Sequence, residues 1–116
     1  MDEDTDVNEV LIVGRVSAAG EPATLPSGDV VHTLRVTVRR SGKDARRGAV
    51  DAVDVACWSA ATRRVAAGLS RDERVEVTGA LRRRFFRGAR GVGSRYEVQA
   101  RTLRRARPRA RPASTP

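Results

Sequence analysis

The side chains of this sequence that are best suited to binding chemistry lie in one short segment, LRRRFFRGAR, residues 81–90. The segment holds five arginines and the only two phenylalanines of the chain. Guanidinium groups bind phosphates in a planar fork, and aromatic faces stack on bases. Together on one segment they indicate a surface for unpaired nucleic acid, whereas either residue type alone would indicate much less.

The charge of the chain is unevenly distributed and supports this interpretation. The net charge is +9, but residues 1–58 carry seven basic and ten acidic side chains, whereas residues 59–116 carry sixteen and four. The second half is therefore expected to face a polyanion. Arginine makes up 22 of the 23 basic residues, but it also replaces lysine in GC-rich genomes, so position carries more weight than number.

Catalysis and metal binding have no candidate residues in the sequence. His32 is the only histidine, and no serine, cysteine or carboxylate stands in motif spacing to it. It shares a predicted strand face with Leu34, which favours a packed, hydrogen-bonded side chain. Cys57 is the only cysteine, so it cannot form an intrachain disulfide, and its neighbours favour a buried structural thiol. We expect no enzyme activity, no cofactor and no metal.

Nothing in the sequence suggests a membrane segment or a signal peptide. No apolar run approaches the roughly 18 to 20 residues that span a bilayer. The N-terminus, MDEDTD, is acidic where a signal peptide would be basic. We expect a soluble, cytoplasmic protein that associates with the nucleoid.

Five strand-like segments and one helix-like segment must position the arginines and rings. The β-branched valines stand in short alternating runs, which favours strands over a helical bundle. The predicted strands are residues 8–16, 29–40, 50–58, 73–86 and 95–103, and the predicted helix is residues 59–69. Gly14, inside the first strand, indicates a bulge or a sharp bend, and residues 20–29 contain the turn signal Pro26, Ser27 and Gly28.

Alternation assigns the functional side chains to faces. Trp58 is predicted on the outward face of the third strand. In the fourth strand Leu81 and Phe85 are predicted in the core, while Arg82, Arg84 and Phe86 share the outward face with Trp58. Inward positions of the other strands are Leu34, Val36, Val38, Val53, Val55 and Cys57, and Arg35 and Arg39 lie outward. Residues 87–94 are predicted to form a Gly-rich basic hairpin tip.

The order strand, strand, strand, helix, strand, strand in a small barrel is that of the OB-fold. The predicted fold class is therefore all-β, a five-stranded Greek-key barrel with one helix between strands 3 and 4. We assign residues 1–6 to an acidic disordered arm, residues 7–104 to the OB-fold domain, and residues 105–116 to a basic, Pro- and Arg-rich disordered tail.

Several segments resemble one family, the bacterial single-stranded-DNA-binding proteins. The family's opening strand is similar to NEVLIVGRV, and its turn and second strand are similar to LPSGDVVHTLRV. Its third strand, helix and fourth strand are similar to VDVACWSAATRRVAAGLSRDERVEVTGALRRRFF, and its closing strand is similar to SRYEVQA. The resemblance covers about residues 8–104. It implies base stacking on Trp58 and Phe86, and it implies a homotetramer, with a dimer as the alternative.

The chain departs from the family pattern at two places. The family's aromatic positions at the end of the second strand and the start of the third align near Gly42 and Ala52, and nearby arginines are expected to compensate in part: Arg39, Arg40, Arg46 and Arg47. The C-terminus is RPRARPASTP instead of an acidic tail with an apolar tip. Recruitment of proteins through such a tail is not expected, and the departure suggests an accessory paralogue or a phage- or plasmid-type member.

The sequence therefore predicts binding of single-stranded DNA with little sequence preference, in replication, repair or recombination. Two alternatives stay open: an RNA-binding or primosome-type OB module, and an OB domain that binds a protein partner. Tyr96 stays open between a core position, a subunit contact and a minor stacking role. The predicted nucleic-acid-binding residues are Trp58, Phe86, Arg35, Arg39, Arg40, Arg82, Arg84, Arg87, Arg90 and Arg95.

Overall fold

The computed structural model describes residues 4–42 and 48–106, and within these ranges the chain forms six strands and one helix. The elements are β1 (Val10–Ala18), β2 (Pro22–Thr24), β3 (Val30–Arg39), β4 (Val50–Cys57), α1 (Ala60–Ala67), β5 (Arg74–Gly88) and β6 (Gly91–Arg105). Arg46 and Arg47 lie outside the described residues, as do most of the predicted tail and half of the predicted arm.

The strands close into a barrel. Their order in the sheet is β1-β5-β6-β4-β3-β2, and β1 also pairs with β3, so that β1, β3, β4, β5 and β6 form a ring. The pairing of β4 with β6 is parallel, and the other pairings are antiparallel. With α1 between β4 and β5, the predicted all-β OB-fold is confirmed.

The short strand β2 was not predicted. It lies within the segment interpreted as a turn and pairs with the beginning of β3 through Pro22↔His32, Ala23↔Val31 and Thr24↔Val30. Its three side chains are exposed and show no apolar alternation, so the sequence holds no signal for it. The turn itself is confirmed, because the Gly28 amide donates to the Leu25 carbonyl oxygen at 2.8 Å and Gly28 has a positive φ.

The core consists of the inward positions of the predicted strands. Leu34, Val36, Val55, Cys57, Val75 and Val77 are all buried there. The period-two assignment is therefore confirmed for β3 and the first half of β5. In β4 the inward Val55 and Cys57 are buried, but the intervening Ala56 is buried as well.

Gly14 allows β1 to reach two neighbours. A Cβ at this position would overlap the carbonyl oxygen of Thr37 on β3, so only glycine lets the two strands approach. The register shift in the β1–β3 pairing lies between Val16 and Ala18. The irregularity predicted in this strand is therefore present, although it lies a few residues beyond the glycine.

Helix α1 begins after Ser59, whose Oγ accepts a hydrogen bond from the Thr62 amide at 3.1 Å. Gly68 ends the helix, and Thr62 and Ala66 form its buried side. The predicted helix is confirmed with narrower bounds. Among the described residues, no helix is long and apolar enough to cross a membrane.

Strands β5 and β6 continue beyond the barrel as a two-stranded ribbon, which we define as residues 82–97. Their pairing runs to Gly88↔Gly91, so only Ala89 and Arg90 form the turn. The loop predicted over residues 87–94 is therefore wrong in length, because the glycines that suggested a loop are accommodated within the strands. Gly91, with φ of 109°, supplies the conformation that the tight turn requires.

Two side chains predicted in the core are instead exposed: Phe85 at 65% and Leu81 at 46%. The predicted side was right for Leu81, which pairs with the buried Val98. The prediction of burial was wrong because the barrel ends at this level and no third element of the described chain covers the ribbon. Tyr96, also on the ribbon, is 61% exposed, so it does not occupy a core position of this chain.

The last described residues are attached to the barrel. The Arg105 guanidinium bonds Glu73 at 3.1 Å and the Gly68 carbonyl oxygen at 2.5 Å, and the Ala106 amide donates to the Arg74 carbonyl oxygen at 2.9 Å. Residues 105 and 106 thus contact the domain, while residues 107–116 lie outside the described residues. The predicted arm and tail stay predictions.

Candidate nucleic-acid interface

One side of the ribbon, together with Trp58, carries half of the predicted binding residues. We call this side the front face and define it as Trp58, Arg82, Arg84, Phe86, Arg95 and Glu97. Side chains of paired residues in antiparallel strands lie on the same side, and the register pairs Arg82 with Glu97 and Arg84 with Arg95. The prediction that Arg82, Arg84 and Phe86 share a face with Trp58 is confirmed by this register and by the contact between Arg84 and Trp58.

Trp58 directly follows β4 and is half-buried. The guanidinium carbon of Arg84 lies 5.3 Å from the centroid of its ring. A nitrogen of the same guanidinium is 3.7 Å from a carboxylate oxygen of Glu97, which is buried. The ion pair with Glu97 therefore helps to keep the Arg84 guanidinium next to the Trp58 ring.

Phe86 lies further out on the ribbon and is 42% exposed. The guanidinium carbon of Arg95 lies 5.0 Å from its ring centroid. The ring lies over Gly93 on the opposite strand, where a Cβ would come within 2.7 Å of the ring. Any larger residue at position 93 would therefore displace the ring.

Sequence reasoning missed Glu97 and Gly93 as members of this site. Glu97 could have been found, since it stands at an outward position of the last predicted strand, and an acid among arginines is unusual there. Gly93 had no such signal, because it was interpreted as part of a flexible tip.

Two of the predicted arginines on the β3 side are engaged with carboxylates. The Nε of Arg35 is 3.2 Å from Asp54 across the β3–β4 pair. Arg40 donates to Asp51 at 2.8 and 3.1 Å. Their charges are thus partly neutralised within the protein, although exposed pairs of this kind contribute only about 0 to 1 kcal/mol and can exchange partners.

Arg39 and Arg40 are not brought close to the two rings. Arg39 pairs with Val50, at the opposite end of β4 from Trp58, about 25 Å away at the rise per residue of a strand. Arg35 lies between these ends, on the outward side of β3. The predicted residues therefore form an extended track along the outside of the barrel and not one cluster.

The arginines without carboxylate partners lie mostly on the ribbon. Within the part of the chain that the structure describes, five predicted arginines have no ion pair and no hydrogen bond through the side chain: Arg39, Arg82, Arg87, Arg90 and Arg95. All five are exposed. The ribbon and its tip therefore present most of the positive charge that is available to a ligand.

The described residues contain no cluster of three or more His, Cys, Asp and Glu side chains that could hold a metal ion. His32 is buried, with Nε2 2.7 Å from the Ala19 carbonyl oxygen, as predicted for a packed histidine. Cys57 is buried, and this burial raises the pKa of its thiol to about 11, although a hydrogen bond with Thr62 lowers it slightly. The predicted structural thiol is therefore confirmed as buried.

A closed five-stranded barrel with one helix between its third and fourth barrel strands, and with rings and arginines on an outer strand face, defines an OB-fold protein of the oligonucleotide-binding type. A family model described as "Single-strand binding protein family" matches residues 7–106, so the chain belongs to that family. The resemblance of its segments is thus confirmed. A search of curated proteins gave no match. The family is a non-enzymatic one, and membership supports single-stranded DNA as the partner.

Proposed function

We propose that this protein coats and protects unpaired DNA with little sequence preference, by stacking bases on Trp58 and Phe86 and by contacting phosphates through arginines. The observation that carries the proposal is the front face, where both rings and Arg82, Arg84 and Arg95 lie on one side of the ribbon. Stacking needs only a π-face, which every base has, so it is tolerant of sequence.

Each ring is already covered by a guanidinium group in the free protein. Arg84 lies over Trp58 and Arg95 over Phe86. An incoming base therefore exchanges with the arginine or stacks on its free side, and the displaced guanidinium can turn to the adjacent phosphate. Stacking of this kind contributes about 1 to 3 kcal/mol per base.

Phosphate contacts are expected first from the arginines that have no carboxylate to leave. Among the described residues these are Arg39 and the ribbon residues Arg82, Arg87, Arg90 and Arg95. On single strands each neutralised phosphate contributes about −0.7 to the slope of log K against log salt. Arg35 and Arg40 contribute less, since each would leave an aspartate unpaired.

The two lost aromatic positions are expected to weaken stacking on the β3–β4 side. Ala52 is exposed and offers no ring, and the predicted arginines of β3, Arg35 and Arg39, each lie two residues from its partner Thr37. The proposal is therefore that affinity depends more on the ribbon, and more on salt, than in an aromatic-rich relative. We further propose that the protein acts in replication, repair or recombination, in the cytoplasm, as a homotetramer or dimer.

The test is a titration with oligo-dT at low salt, followed by quenching of Trp58 fluorescence and by anisotropy of labelled DNA for variants without the tryptophan. Trp58→Ala and Phe86→Ala should each bind more weakly. Leu11→Ala removes an exposed apolar side chain from β1, away from both rings, and serves as the control.

Three outcomes would change the proposal. Equal affinity and equal salt slope for both ring variants and the parent would show that stacking is assigned to the wrong residues. Unquenched Trp58 at low salt would favour a protein-interaction domain. Stronger competition from structured RNA than from poly-dT would favour an RNA-binding module.

A further inference from the structure

The ribbon has a second side, of which the proposed function uses only Arg87. We call it the reverse face and define it as Arg83, Phe85, Arg87, Val92, Ser94 and Tyr96. The register pairs Arg83 with Tyr96, Phe85 with Ser94 and Arg87 with Val92, so these side chains alternate with those of the front face.

The reverse face is richer in exposed rings than the front face. Phe85 and Tyr96 are more exposed than Phe86. Arg83 lies between them, with its guanidinium carbon 5.0 Å from the Phe85 centroid and 5.8 Å from the Tyr96 centroid. Ser94 accepts two hydrogen bonds from this guanidinium at 3.3 Å, which hold it in place.

The charge on this side is positive, and no carboxylate of the ribbon opposes it. The single carboxylate of the ribbon, Glu97, belongs to the front face and pairs with Arg84. An apolar protein surface packed here would bury the Arg83 charge without a carboxylate partner, which is costly. A polyanion that carries flat rings could pair with the arginines through its charges and stack on the exposed aromatic side chains through its rings.

We infer that the reverse face is a second contact surface for single-stranded DNA, so that a strand long enough to round the ribbon tip is bound on both sides of it. Bases stack on Phe85 and Tyr96, and Arg83 and Arg87 contact phosphates. Arg90, in the two-residue turn, lies where the strand crosses from one face to the other. The inference rests on the proposed function, since the front face must bind the first part of the strand.

The first test compares short and long oligo-dT. A strand of about eight nucleotides lies within the range that one OB-fold covers, whereas one of about 40 nucleotides can extend beyond it. Phe85→Ala and Tyr96→Ala should leave the affinity for the short strand unchanged and should lower that for the long strand about fivefold or more. Leu11→Ala should change neither. Unchanged affinity of both variants for the long strand would overturn the inference.

The second test moves the fluorescent reporter. In Trp58→Phe with Phe85→Trp, the only tryptophan lies on the reverse face, and its emission should be quenched by the long strand and not by the short one. Trp58→Phe with Leu11→Trp is the matched control and should stay unquenched. An unquenched tryptophan at position 85, with quenched Trp58 in the parent, would overturn this inference alone. No quenching in either protein would overturn the proposed function as well.

Sedimentation tests the alternative that a second copy of the chain, and not DNA, covers the reverse face. Phe85→Ala and Tyr96→Ala should sediment like the parent protein in the absence of DNA. The variants could instead form smaller assemblies than the parent while binding long oligo-dT with unchanged affinity. In that case the reverse face is a subunit interface and the inference is wrong.

Discussion

Trp58 and Phe86 are both rings covered by an arginine, but they differ in what holds that arginine. At Trp58 the guanidinium of Arg84 is tied to a buried carboxylate, and the ring itself follows a strand of the closed barrel. At Phe86 the guanidinium of Arg95 has no carboxylate partner among the described residues, and the ring lies on the two-stranded ribbon. The same two groups therefore form a preorganised site on the barrel and an adaptable one on the ribbon.

This difference predicts unequal losses when the rings are removed. Trp58→Ala should weaken oligo-dT binding about 30-fold or more, near the upper part of the range for one stacked base, because the lost ring was held rigidly. Phe86→Ala should cost about fivefold, since part of its stacking energy is spent on ordering the ribbon. Anisotropy titrations at one fixed salt concentration provide the comparison. A larger loss for Phe86→Ala would reverse the ranking of the two sites.

Gly93→Ala tests whether binding at Phe86 depends on the space that Gly93 leaves for the ring. The added methyl group would contact the Phe86 ring and displace it, so affinity should fall about threefold. Gly88→Ala is the matched control, since its nearest neighbour would be 3.9 Å away, and it should bind like the parent. In the background of Phe86→Ala the change at position 93 should have no further effect. Additive losses would mean that Gly93 acts independently of the ring.

The smallest expected effect concerns the carboxylate under the barrel site. Glu97→Gln releases Arg84 from its internal counterion, so affinity at low salt should rise about twofold and the salt slope should steepen by about 0.7. Glu76→Gln breaks a more exposed pair with Arg104 near the beginning of β5, at the end of the strand away from the rings, and should leave the slope unchanged. A fall in affinity for Glu97→Gln would show that holding Arg84 on the ring matters more than its free charge.

Much of the site could be predicted because alternation along a strand is a local property. The outward positions of Arg35, Trp58, Arg84 and Phe86 follow from counting residues along strands whose apolar side is evident. The exposure of Phe85 could not be predicted in the same way. Alternation gives the side of a strand on which a residue lies, but whether that side is covered depends on where neighbouring strands end.

The ion-pair partners of the charged side chains also could not be predicted from the sequence. The Arg35–Asp54 pair depends on the register between β3 and β4, and the Arg84–Glu97 pair on the register between β5 and β6. These registers follow from the way the barrel closes, which involves contacts between residues far apart in the chain. The charge available to a ligand is therefore less than a count of arginines suggests.

The buried thiol of Cys57 makes the protein convenient for site-specific labelling. With a pKa of about 11 and no exposed surface, the only cysteine of the chain is mostly protonated near neutral pH and inaccessible to maleimide reagents. A single Ala89→Cys substitution would thus place one reactive thiol in the turn of the ribbon, without first removing the native cysteine. A spin label or fluorophore attached there would report how the ribbon moves when a strand binds.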